Sequence, residues 1–105
     1  MTTNREVIES PIDQGIDEVI SYSLTTTPWG STPSSPAVVV YDITNGTYTD
    51  VTTTVMPVNI PTIDGDVITL SPLRGLTANQ KYRIEVKFTS GGNVFEPFAF
   101  INSAR

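Results

Sequence analysis

From Lys81 to Phe88 the side chains alternate without a break, with Tyr82, Ile84, Val86 and Phe88 on one side and Lys81, Arg83, Glu85 and Lys87 on the other. A two-residue period of this kind describes a half-buried antiparallel strand, one face on a core and the other in water. The segment therefore commits the chain to a sheet with an apolar interior on one side.

The rest of the sequence agrees. Turn signals recur every dozen or so residues between short β-rich runs, and no long helical stripe competes, which is the pattern of an all-β sandwich. Residues 1–12 are polar and read as a flexible N-terminal arm, carrying at most a first strand around Glu6-Val7-Ile8; residues 13–105 are the sandwich domain. Residues 17–25 read as a strand with Ile20, Tyr22 and Leu24 inward and Val19, Ser21 and Ser23 outward. Residues 26–36, dense in Pro, Gly, Ser and Thr, make a long ordered loop. Residues 37–43 are almost continuously apolar and suit a central strand covered on both faces. Asn45-Gly46 predicts a type I′ hairpin turn, since both residues tolerate positive φ, and residues 47–55 supply the returning strand.

Pro57 and Pro61 bracket a stretch that cannot lie inside a sheet, and Asp64-Gly65-Asp66 turns the chain into residues 67–70. Residues 71–79 are a crossover. Ser90-Gly91-Gly92-Asn93 then makes a hairpin into residues 94–101, whose apolar side chains fall on both faces. Phe98 and Phe100 share a face with Glu96, whereas Phe95, Ala99 and Ile101 share one with Pro97. A bulge near Pro97 would reconcile the two sets.

At 105 residues the chain is one domain, able to bury about two-thirds of its unfolded surface. It has no cysteine, so no disulfide or thiolate metal site supports the fold, and no histidine, which removes the commonest general base and transition-metal ligand. Its net charge of −5 argues against binding a phosphate backbone. The first 50 residues hold Glu6, Glu9, Asp13, Asp17, Glu18, Asp42 and Asp50 against Arg5 alone. That acidic edge is either solvated charge or a face for a basic neighbour. The N-terminus shows no apolar signal segment, and no run reaches membrane-spanning length.

Few residues carry chemistry. Asp13, Asp17, Asp64 and Asp66 are the acids whose spacing approaches a calcium site, but Asp-Gly-Asp is explained by a turn. Asn45-Gly46-Thr47 matches a glycosylation sequon whose position the hairpin already accounts for. The abundant Ser and Thr residues lack an activating base, so no catalytic residue, metal ligand or cofactor site is assigned and the chain reads as a non-enzyme. Trp29, the sole tryptophan, sits in the 26–36 loop and is either a lid on the sandwich or a partner contact.

Leu76 precedes Tyr82 by six positions across a short polar loop, an arrangement similar to the tyrosine corner of immunoglobulin-like and fibronectin type III sandwiches. In that corner the hydroxyl bonds back to upstream backbone, making Leu76 and Tyr82 the expected structural corner. Together with the acid-opened strand at 17–24, Val38-Val39-Val40-Tyr41-Asp42 and the Thr89 to Glu96 hairpin, it gives the chain a resemblance to small Ig-like virion proteins of tailed phages and prophages, of tail or fibre-adaptor type. The resemblance implies a seven-stranded immunoglobulin-like, fibronectin-III-like antiparallel β-sandwich. It also implies a non-catalytic structural role through protein–protein contacts with other members of an assembly, with no cofactor, nucleic acid or membrane involved. The corresponding location is the virion, or the bacterial cytoplasm before assembly. The chain departs from fibronectin type III domains at Tyr22, where they carry Trp, and at Ala78-Asn79, where they carry Pro-Gly. The alternative is an Ig-like binding module for glycan or protein ligands.

Overall fold

A computed structural model describes residues 5–7 and 10–104. Among the described residues the strands are β1 (Ile12–Gly15), β2 (Ser23–Thr25), β3 (Ser34–Asp42), β4 (Thr49–Asp50), β5 (Thr62–Asp64), β6 (Val67–Thr69), β7 (Lys81–Ser90), β8 (Asn93–Phe95) and β9 (Phe98–Ala104), with one helical turn, α1 (Thr52–Val55). They form two sheets packed as a sandwich. The larger runs β1-β9-β7-β3-β4 with β8 also on β7; the smaller runs β2-β6-β5.

β7 is the central strand, and its alternation is realised: Tyr82, Ile84, Val86 and Phe88 are buried. They meet Val38 and Val40 of β3, Ile101 of β9, and Ile68, Leu70 and Leu73 from the opposite layer. Burying each such side chain contributes about 1.5–3 kcal/mol, so this cluster is the main source of stability in a chain without staples.

Several local expectations are corrected. Among the described residues nine strands stand where seven were expected, and the larger sheet is not wholly antiparallel, because β1 pairs with β9 in parallel from Ile12↔Ile101 to Gly15↔Ala104. The 17–25 strand keeps the expected alternation but narrows to β2 plus a bridge between Ile20 and Leu73. β3 starts three residues early, at Ser34, and takes up the misfit in an irregularity between Ser34 and Ala37, where Ser35 has φ 53°. It is buried on one face only: Val38 and Val40 are enclosed, while Val39 and Tyr41 are half-exposed.

The Asn45-Gly46 turn is not type I′, since Asn45 is not at positive φ; Gly46, at φ 79°, closes a turn on the Ile43 carbonyl. The type I′ pattern occurs instead at Gly91-Gly92 (φ 57° and 81°) between paired Ser90 and Asn93. After two residues the returning strand gives way to α1. The Asp50 carboxylate accepts both the N–H and the hydroxyl of Thr52, at 2.9 and 2.7 Å, and the Thr52 hydroxyl oxygen takes the Val40 N–H that a strand would have taken. The helical turn that follows drives Val55 and Met56 into the core.

No bulge exists at Pro97. The β7–β8 and β7–β9 pairings lie in one register, from Ser90↔Asn93 through Glu85↔Phe98 to Lys81↔Asn102, and the Val86 N–H reaches the Pro97 carbonyl at 2.9 Å. Phe95, Pro97, Ala99 and Ile101 therefore face the core, and Phe98 and Phe100 lie on the outer face. The arm is partly in the sheet: Phe98 N–H donates to Arg5, Val7 N–H donates to Phe98, and Phe100 N–H donates to the Ser10 hydroxyl. Ile8, part of the anticipated first strand, lies outside the described residues.

Candidate functional site

The smaller sheet has three strands against six in the larger, and β2 forms one of its edges. An apolar cleft of about 710 Å³ opens there. Its floor is Ile84, Val86 and Ile101; its walls are β2 with Tyr22, the arm at Glu6 and Val7, and Pro28 and Trp29. This volume lies within the range that ordinarily holds a ligand.

Trp29 is both packed against the core and part of the cleft wall. Its loop is held from within. The Thr26 carbonyl accepts the N–H groups of Trp29 and Gly30 at 2.9 and 2.8 Å, the Thr26 N–H donates to the Asp66 carbonyl, and the Asp66 carboxylate accepts the Thr32 N–H at 2.9 Å. Gly30 is required by space: a Cβ there would lie 2.5 Å from Ser90 Oγ and 2.8 Å from Ser90 Cβ.

Behind Tyr22 lies a polar anchor. Gln14 is fully buried; its amide nitrogen donates to the Leu73 carbonyl at 2.8 Å and to the Glu18 carbonyl at 3.1 Å, and its oxygen accepts the Tyr22 hydroxyl at 2.7 Å. A buried amide with all these bonds made is tolerated where an unpaired one would be costly. Burial, with a smaller contribution from nearby Glu18, pushes the Tyr22 hydroxyl above its ordinary range, keeping it a donor.

At the predicted corner, Tyr82 is buried and its hydroxyl accepts the Thr77 N–H at 2.9 Å, with Leu76 buried beside the same core. Ser103 of β9 ties down the same loop, accepting the Gln80 N–H at 2.8 Å and donating to the Thr77 carbonyl at 2.5 Å. The corner is structural and lies apart from the cleft lining. The Trp29 loop, read from the sequence as a lid or a partner contact, and the arm at Glu6 and Val7 both border the cleft.

A second surface lies on the outer face of the larger sheet. Arg83 stacks 3.8 Å from the Phe98 ring centroid and pairs with Glu85 at 2.8 Å, while Lys81 lies over Phe100 at 4.5 Å. Tyr41 and Tyr48 extend the patch. The sequence contained a signal for it, since a two-residue hairpin at Gly91-Gly92 places Phe100 opposite Arg83. Gln14 and Asp66 carried no such signal.

The four acids singled out for calcium do not converge: no group of three metal-ligating side chains occurs among the described residues. No helix among them is long and apolar enough to cross a membrane. Compared with protein-family models and with curated proteins, the sequence matches none.

Proposed function

We propose that this is an immunoglobulin-like, non-catalytic module working by protein–protein contact, as a structural subunit of a phage- or prophage-type assembly of the tail or adaptor kind. The observation that supports it is the cleft, where Trp29 and the arm, two elements outside the regular strands, border one apolar site on a rigid sandwich. Contact residues are disproportionately placed on such segments, and a half-exposed Trp supplies a large, stiff contact area.

The test is co-expression with the proteins encoded beside its gene, comparing the natural chain with Trp29→Ala. The expected result is a stable complex with one such neighbour that Trp29→Ala weakens while its melting transition moves little. If Trp29 is only a lid, the variant loses about 3–5 kcal/mol of folding stability. That loss, or an absence of any complex, defeats the proposal. The alternative reading, a module for glycan ligands, draws on the same wall, because Trp29 and Tyr22 offer rings to a sugar; binding of oligosaccharides by the isolated chain would favour it.

A further inference from the structure

Among the described residues the cleft borders an unpaired strand edge: β2 pairs on one side only, with β6, through Ser23↔Thr69, Leu24↔Ile68 and Thr25↔Val67. Leu70 N–H donates to the Tyr22 carbonyl and Thr26 N–H to that of Asp66, so the residues turned toward β6 are Tyr22, Leu24 and Thr26. Antiparallel pairing alternates, which turns the N–H and C=O groups of Ser23 and Thr25 away from β6. Five consecutive residues, from Ser21 to Thr25, line the cleft, as happens when a strand borders a cavity along its backbone edge rather than by one side-chain face.

We propose that the cleft receives an extended segment of another protein, added as a fourth strand beside β2, with the Ser23 and Thr25 backbone groups pairing to it. This rests on the contact reading above and adds the chemistry of the partner. The edge asks for backbone partners at two-residue spacing, which an extended peptide supplies. The floor selects the side chains. A strand continuing this sheet places alternate residues on the Leu24 face, against Ile84 and Val86, so the segment is apolar at every second position and polar between.

The probe is a capped peptide, Lys-Thr-Val-Thr-Val-Thr-Lys, used unmodified and in two N-methylated forms, one blocking the Val amides and the other the internal Thr amides. Amide hydrogen exchange follows Ser23 and Thr25 in the intact chain. The expected result is slowed exchange at both residues on adding the unmodified peptide, with binding weakened roughly tenfold or more by one methylation pattern and little by the other, since only one set of amides can face β2. Ser23→Pro removes only an outward N–H, which edge strands tolerate, and should block binding with little change in melting. If it fails to fold, the methylated peptides carry the test. Equal binding by all three peptides with unchanged exchange at Ser23 and Thr25 overturns strand addition while leaving the cleft a contact site. No binding up to about 1 mM overturns strand addition as well, and the Trp29→Ala comparison then judges the contact reading alone.

Discussion

Replacing Gln14 by Leu keeps most of the buried volume and removes three hydrogen bonds, which makes the cost separable by partner. The Leu73 carbonyl retains the Ile20 N–H at 3.1 Å, so it is not orphaned. The Glu18 carbonyl belongs to an exposed residue and can turn to water. The Tyr22 hydroxyl, half-buried in the cleft wall, loses its acceptor. One buried group left unsatisfied costs about 1–3 kcal/mol, and the carbonyl losses add about 1 kcal/mol, giving roughly 2–4 kcal/mol for Gln14→Leu. Tyr22→Phe alone leaves the Gln14 oxygen without its donor and should cost about 1–2 kcal/mol. Removing both partners leaves neither group stranded, so the double variant should recover about 1 kcal/mol relative to the sum of the singles. Urea unfolding measures all four corners of the cycle; with a slope of about 1–2 kcal/mol/M, Gln14→Leu lowers the midpoint by roughly 1–4 M. Additivity within about 0.3 kcal/mol, or a Gln14→Leu variant as stable as the natural chain, refutes the assignment of Gln14 as the anchor of Tyr22.

Tyr82→Phe should cost about 1 kcal/mol in urea unfolding, the low end for a lost partner because Thr77 is exposed and water can reach its N–H; a loss above about 3 kcal/mol would mean the hydroxyl holds more than this bond. Gly30→Ala should cost about 1–3 kcal/mol by driving Ser90 off its position, and Gly30→Ala with Ser90→Gly should recover part of it; no recovery would place the strain elsewhere. The side-chain and backbone hydrogen bonds from Thr52 lower the Asp50 pKa, so the contribution of this carboxylate is present above its ordinary range and lost as pH falls through the lowered value. Asp50→Asn should therefore flatten the acid limb of the stability curve, and an unchanged acid limb would show these two bonds to be inert. For Tyr22 the sign reverses: its raised value makes its contribution complete below pH 10.0 and lost as pH rises through the folded value, so Tyr22→Phe should remove part of the alkaline loss.

What could be read from the sequence was set by period and by glycine. β7 was legible because its alternation is unbroken, and the Gly91-Gly92 hairpin because two adjacent glycines satisfy two positive φ angles. The segment after Asp50 was not, because a Thr-rich run suits a strand on propensity, and the bonds of Asp50 to Thr52 and of the Thr52 hydroxyl to the Val40 N–H replace the strand ladder there, a contest that local pattern does not decide. The Pro97 region misled for a different reason. Two Phe residues on a solvent face look like a register error until Arg83 and Lys81 lie over them. Gln14 was hidden altogether, since a glutamine beside Asp13 and Gly15 has the appearance of a solvated residue, and its partner Leu73 lies far along the chain. In the candidate site, Trp29 and the arm were legible as exceptions to the strand pattern; the cleft joining them depends on which segments the pairing brings together, which is not a property of any one residue.

The parallel pairing of β1 with β9 has a mechanical consequence. The two strands enter the sheet at the same end and leave in the same direction, so tension that draws the chain apart at its two ends slides them past each other lengthwise. Ladder bonds from Ile12↔Ile101 to Gly15↔Ala104, and the bond from the Ile16 N–H to the Ala104 carbonyl, are then loaded together instead of opening in sequence as in an unzipped hairpin. A domain strung between neighbours in this way resists until this seam at the margin of the larger sheet gives way as one unit.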